Sequence, residues 1–343
     1  MTLMKIGISS ESETIPYILL GLLVVVLFVL PLFAEVYIIY MVINILLLSL
    51  FSLSVNLLLG YTGLLSFGQA AFYAAGAYGC AKILVAMDSP SLLPGVIGGI
   101  LIAGAIALVL GLLCVRHTEI YFAMLTLAFG MMMYSLALKW RSFTGGDDGL
   151  VGIPRAPLVV PGLFSLDMTS MENYYYFVLV VCLIAIFVFY RLVNSPFGLT
   201  LQGIRDSESR MPFTGISVRN YRLLCFVIAG LYAGLAGALL PPLENTVTPP
   251  VAHWEHSGQG VLVCLLGGVH TFAGPIVGAL LFFVIKDIIV RFTEYWLICL
   301  GIIVLILVLG LRGGVVGTLR DRLFTRIRVR SAGEVASDRT IED

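Results

Sequence analysis

NSPFGLTLQGIRDSESRMPFTGISVRNYRLLCFVIAGLYAGLAGALL, residues 194–240, begins as a polar, arginine-rich segment and ends as an apolar helix. Almost everything around it is apolar. Ser195-Pro196 reads as a helix start, because Ser can cap and Pro fits the first helical position. Phe197, Leu201 and Ile204 then fall at i, i+4 and i+7, on one face. Arg205, Asp206, Glu208 and Arg210 form a charged head, and Pro212 and Gly215 close the segment. The expectation is a short amphipathic helix, a charged turn, a second short helical piece and an exit into a span over Leu223–Leu240. A helix lying on headgroups is normally Lys-rich. Mixed charges suit a protein socket better, because rim charges fix register.

Composition sets the context. Hydrophobic residues make up 59% of the chain and charged residues 12%, against about 25% charged in soluble domains. The chain therefore reads as an integral membrane protein, and its unbroken apolar runs read as helices rather than alternating barrel strands. The formal net charge is zero, which suggests no nucleic-acid partner. Cys80, Cys114, Cys182, Cys225, Cys264 and Cys299 sit in or beside apolar runs with no CxxC pair, so they read as small packing residues.

Spans are expected at Tyr17–Phe33, Val36–Leu59, Ala70–Ala86, Leu92–Val115, Ile120–Leu138, Tyr174–Val193 and Leu223–Leu240. Shorter pieces follow at Ser257–Val269 and Gly274–Ile289, and the last span is Tyr295–Leu311. Gly60–Gln69 breaks the second from the third. Stripes of small residues at Ala71, Ala75 and Gly79, at Gly95, Gly99, Ala103, Ala107 and Gly111, and at Gly230, Gly234 and Ala238 predict a tightly packed bundle. The fold class is thus an all-α polytopic bundle of about ten transmembrane helices with broken or re-entrant pieces. The organisation is a cytoplasmic segment 1–16, a membrane domain 17–311, and a basic then acidic cytoplasmic tail 312–343. The arginine bias puts the loop 194–222 and both termini in the cytoplasm, and the irregular loop 139–173 outside.

Catalytic signatures are weak. No GxxxxGK[ST] phosphate loop occurs, so ATP is not bound that way. His253-Trp254-Glu255-His256 has i, i+3 rather than HExxH spacing and lies in a Pro-flanked loop. Gly145-Gly146-Asp147-Asp148-Gly149 lacks calcium-loop spacing and reads as a turn or docking surface. Lys82, Lys286, Asp287 and Arg291 lie near span ends, where long side chains snorkel.

Four stretches carry a resemblance. GYTGLLSFGQAAFYAAGAYGCA (60–81), FTGGDDGLVGIP (143–154), residues 195–240, and LLGGVHTFAGPIVGALL (265–281) resemble the LivM-type permease of the branched-chain amino acid ABC importer family. The resemblance implies a bacterial inner-membrane subunit without enzymatic activity or a cofactor of its own. It implies a LivH-like second permease, two cytoplasmic ATPase subunits that bind the ATP, a periplasmic solute-binding protein, and membrane lipid around them. By similarity, Ile204, Arg205, Asp206, Glu208 and Gly215 form the coupling element. Gly60, Tyr61, Thr62, Gly63, Ser66, Gly68, Gln69, Gly267 and Gly268 line or shape the translocation path. Thr144, Gly145, Gly146, Asp147 and Asp148 face the binding protein. His270 departs from the family's glycine at that turn. Related permeases carry urea, short amides or other small solutes.

Overall fold

A computed structural model describes residues 24–87, 91–117, 119–160, 164–310 and 313–318. The segment 1–16 and the start of the expected first span lie outside them, as does the tail apart from residues 313–318. Ten named helices order the rest: α1 (Val36–Asn56), α2 (Gln69–Ala86), α3 (Leu92–Cys114), α4 (Glu119–Lys139), α5 (Met171–Val193), α6 (Pro196–Asp206), α7 (Val218–Ala238), α8 (Trp254–Gly267), α9 (Gly274–Phe292) and α10 (Trp296–Gly310). In hydrocarbon, each backbone N–H and C=O must bond within its own segment, which leaves these Leu-, Val- and Ile-rich runs no alternative to helix.

Among the described residues, five helical stretches are long and apolar enough to cross a membrane: Val36–Thr62, Leu92–Cys114, Glu119–Lys139, Met171–Val193 and Val218–Glu244. The chain is therefore a multi-pass helical membrane protein. The 14 residues of α8 rise only about 21 Å, short of a hydrocarbon core of about 30 Å. The sequence anticipates that shortfall.

The centre of the bundle is α2, α3 and α7. A methyl on Gly234 or Gly230 would strike the Cβ of Ala103 or Ala107, and one on Gly99 would come within 2.5 Å of Gly76 O. The predicted α3 and α7 stripes thus face each other. Of the predicted α2 stripe, Gly79 packs against α3, where a methyl would lie 3.2 Å from Gly99 Cα, while the approaches to α7 are made elsewhere on the helix. Gly76 makes the close approach to Gly234, and the backbone at Tyr73 makes the approach to Gly237. Ala71 and Ala75 instead line a cavity of about 240 Å³ shared with α4.

The loop expected to be irregular has structure. A short helix, Arg141–Thr144, and a 3-10 turn, Gly146–Asp148, lead into strand β1 (Leu150–Val151). β2 (Leu158–Val160) and β3 (Phe164–Leu166) form an antiparallel hairpin, and β1 pairs antiparallel with β4 (Thr246–Val247). This ribbon joins the loop after α4 to the loop after α7. Arg155 reinforces the join, donating from Nε to Pro242 O at 2.8 Å and from Nη2 to Leu243 O at 3.2 Å. Those carbonyls follow α7, where helix ends leave acceptors unpaired. Beside the hairpin, two hydrogen bonds from Thr169 hold the Asp167 carboxyl below the usual carboxylate range. Both α5 and α7 run between this ribbon end and the opposite end, where α6 sits.

Candidate functional site

At the α6 end, three chain segments meet: the break after α1, helix α6, and the turn between α8 and α9. The break is shorter than expected. The helix of α1 does not stop at Gly60 but continues through a π-helical turn, Leu57–Thr62. Gly63 then adopts φ 74, a left-handed conformation that glycine takes without strain. A methyl on Gly60 would strike Val269 O, and one on Gly63 would sit 3.0 Å from Arg205 Cγ. The glycines let both neighbours close on the backbone.

Helix α6 forms as the spacing predicts. Leu201 and Ile204 are buried, and Phe197 stacks on Tyr221 with ring centroids 5.7 Å apart. Pro196 occupies the first turn, but Ser195 does not cap. Its hydroxyl donates instead to Leu192 O at 2.6 Å. Only Asn194 separates α5 from Ser195, so the hydroxyl lies within reach of a carbonyl in the last turn of α5 and bonds there.

The charged head divides. Arg205 turns inward, donating from Nη1 to Gly60 O at 2.5 Å and lying 3.2 Å from His270 Nδ1, while its Nη2 reaches Asp206 Oδ1 at 3.1 Å. Glu208 accepts two hydrogen bonds from Arg222, at 2.6 and 2.7 Å. The Arg222 side chain is 6% exposed and that of Glu208 46%. Asp206 remains largely exposed, and Arg210 donates to Ser207 Oγ at 2.7 Å. Gly215 caps the 3-10 turn Met211–Thr214 with φ 80. That turn lifts Phe213 to 91% exposure. Sequence reasoning missed both Phe213 and Arg222. The available signal for Phe213 was an aromatic residue beside proline in an otherwise polar loop.

The remaining candidates separate by burial. Thr62, Ser66, Gly68, Gln69, Gly267 and Gly268 are buried in the subunit, Tyr61 is half-buried and Gly63 is exposed. Gly68 lies against Thr126 O, where a methyl would come within 2.8 Å. Ala70 N donates to Ser257 Oγ at 2.9 Å, securing the start of α2 inside the bundle. Among the described residues, both amide atoms of Gln69 lack a protein hydrogen-bond partner. At the ribbon end, Asp147 and Asp148 are exposed, whereas Gly146 and Thr144 are buried and Gly145 is half-buried. The Thr144 hydroxyl is engaged with Ala137 O at 2.6 Å. His253-Trp254-Glu255-His256 is not a loop motif, because Trp254 already begins α8. His256 packs between Phe51 and Tyr73, at centroid distances of 4.6 and 4.7 Å.

Known proteins bear on this arrangement. A family described as the branched-chain amino acid transport system / permease component matches residues 37–309. The high-affinity branched-chain amino acid transport permease LivM of Escherichia coli K12 is 28% identical over 79% of this chain and 68% of its own length. The guanosine ABC transporter permease NupQ of Bacillus subtilis is 28% identical over 36% of this chain and 39% of its own. The D-allose transport permease AlsC of Escherichia coli K12 is 23% identical over 57% of this chain and 56% of its own. No solved structure matches. A match across residues 37–309 takes in the break, α6 and the glycine turn together, and on it the chain belongs to the branched-chain amino acid transport permease family.

Proposed function

We propose that this protein is the transmembrane subunit of an ATP-driven importer of leucine, isoleucine and valine. It crosses the bacterial inner membrane about ten times with both termini cytoplasmic, the short helices included as crossings. A second, LivH-like permease completes the translocation path, two ATPase subunits bind and hydrolyse ATP at the α6 end, and a periplasmic binding protein delivers substrate at the ribbon end. The similarity to LivM extends over 79% of the chain, and that to the guanosine permease over 36%. This extent favours the amino-acid reading over other small solutes.

The observation that carries the coupling is the inward turn of Arg205. Its guanidinium bonds the carbonyl of Gly60, inside the π turn that ends the first membrane helix. A partner that displaces α6 therefore pulls directly on the break. The buried Gly60, inside the π turn, and Gly68 and Gln69, where α2 begins, shape the path. Exposed Phe213 and Leu199 offer the partner apolar surface to bury. The motion is a shift between two states driven by partner binding, with no chemistry in this chain.

Arg205→Ala removes a charge-assisted bond to a backbone carbonyl, of the kind that contributes about 1.5–3 kcal/mol. ATP-dependent leucine uptake in proteoliposomes with the partner subunits should fall at least about tenfold while the complex still assembles. Normal uptake would remove Arg205 from the mechanism, and uptake persisting without any ATPase subunit would overturn the importer reading itself. Orientation has its own check. A cysteine at Phe213 should react with an impermeant maleimide only in inside-out vesicles, and one at Val151, also exposed, only in spheroplasts. The reverse pattern would invert the topology.

A further inference from the structure

Between the ribbon-end halves of α1 and α9 lies a cavity of about 170 Å³. It could hold roughly six waters at about 30 Å³ each, the scale of one small amino acid. Its wall mixes charged and hydrocarbon side chains. Lys286, Asp287, Asn44 and Tyr37 supply polar atoms, and Met41 and Phe283 supply the apolar side. Asp287 is held in place from two directions. Tyr37 donates to Oδ1 at 2.5 Å, and Arg291, one turn further along α9, meets Oδ2 at 2.8 Å. The Asn44 amide is oriented by donating to Tyr40 O at 3.1 Å. The Lys286 ammonium lies 5.8 Å from the Phe283 ring centroid.

Ionisable groups kept within membrane helices and facing a cavity mark binding sites or pathways. Snorkelling explains Arg291, which is exposed. It does not explain Lys286 and Asp287, which lie side by side on the wall of a cavity between two helices. An ammonium carries three donors and a carboxylate about four acceptor sites, so each can take a ligand atom besides its protein contacts.

We infer that this cavity binds a free α-amino acid with an aliphatic side chain, its carboxylate on Lys286, its ammonium on Asp287 and Asn44, and its hydrocarbon against Met41 and Phe283. The inference rests on the amino-acid importer reading and adds to it a recognition site within this subunit, apart from the break at Gly60. A phosphatidylethanolamine headgroup shares the pairing of an ammonium with an anion, and the test separates the two sources.

The full chain is placed in nanodiscs of phosphatidylglycerol, and binding of tritiated leucine is measured. Isocaproate lacks the ammonium and isoamylamine lacks the carboxylate. Each should bind the native protein at least about tenfold more weakly than leucine, because each loses one charge-assisted contact. Lys286→Met should erase the preference for leucine over isoamylamine. Asp287→Asn should erase the preference over isocaproate. Lys286→Arg, which keeps the charge, should retain binding and shows that the site tolerates substitution. Unchanged leucine binding in both Lys286→Met and Asp287→Asn would overturn the inference. If the native complex still imports leucine in that case, the importer reading stands without this site. If it imports no branched-chain amino acid, that reading falls separately. Retention of phosphatidylethanolamine by the native protein but not by Lys286→Met, with no leucine bound, would identify a headgroup site and likewise overturn the inference.

Discussion

Glu208→Ala should destabilise the protein by about 3–5 kcal/mol, because it strands a buried charge. The two partners of this ion pair are not equivalent. Glu208 is half in solvent and can be rehydrated when Arg222 is removed. Arg222 is enclosed at the start of α7 and cannot be rehydrated when Glu208 is removed. The Arg222 Nε already lacks a protein partner among the described residues, so the bidentate carboxylate is the main compensation for the guanidinium. Arg222→Leu should therefore be milder than Glu208→Ala, and the double variant milder than Glu208→Ala alone. Thermal unfolding of detergent-purified protein, followed by fluorescence-detected size exclusion, ranks the three. Equal midpoints for Glu208→Ala and the native chain would show that the pair carries no stability. The pair also changes how Glu208 is to be understood. It faces its own chain and ties the loop after α6 to α7, so a charge-reversed Glu208 variant should fail in folding as well as in coupling.

Gly237→Val and Gly76→Val should be the most damaging of the substitutions considered. At both positions the added carbon meets backbone, at Tyr73 O and Gly234 O respectively, and no rotamer change relieves it. Overpacking normally costs about 1–3 kcal/mol where side chains can shift. Here whole helices must separate, which opens the contacts of α2, α3 and α7 together. Each variant should lose its monodisperse elution peak. Gly301→Val, on the exposed face of α10 where nothing lies within 4 Å, should elute as the native protein does. A monodisperse Gly237→Val protein would show that α2 and α7 are not packed this closely.

Much of the fold was legible because its signals were local. The apolar runs located the helices to within a few residues, and Pro196 with Phe197, Leu201 and Ile204 located α6 and its buried face. The failures were tertiary. Nothing near Arg205 indicates that it bonds a carbonyl 145 residues earlier in the chain. The π turn was hidden because Leu57, Leu58 and Leu59 continue the apolar run without a change of period. Ser195 looked like a cap because sequence does not show that a preceding helix end competes for its hydroxyl. In α2 the regular spacing of Ala71, Ala75 and Gly79 suggested one packing face, whereas the close approaches to α7 are made at Gly76 and at the Tyr73 carbonyl. The strands β1 and β4 are two residues each, too short for any alternation to register.

The ribbon end also bears on how the protein is made. Arg155 is completed by Pro242, 87 residues later in the chain, and β1 waits for β4 as well. At a synthesis rate of about 5–20 residues per second, the loop after α4 spends roughly 4–17 s without its partner. During that interval α5 and α7 must be inserted and α6 folded between them, so this face of the molecule is finished late in biogenesis, after most of the bundle is already in the membrane.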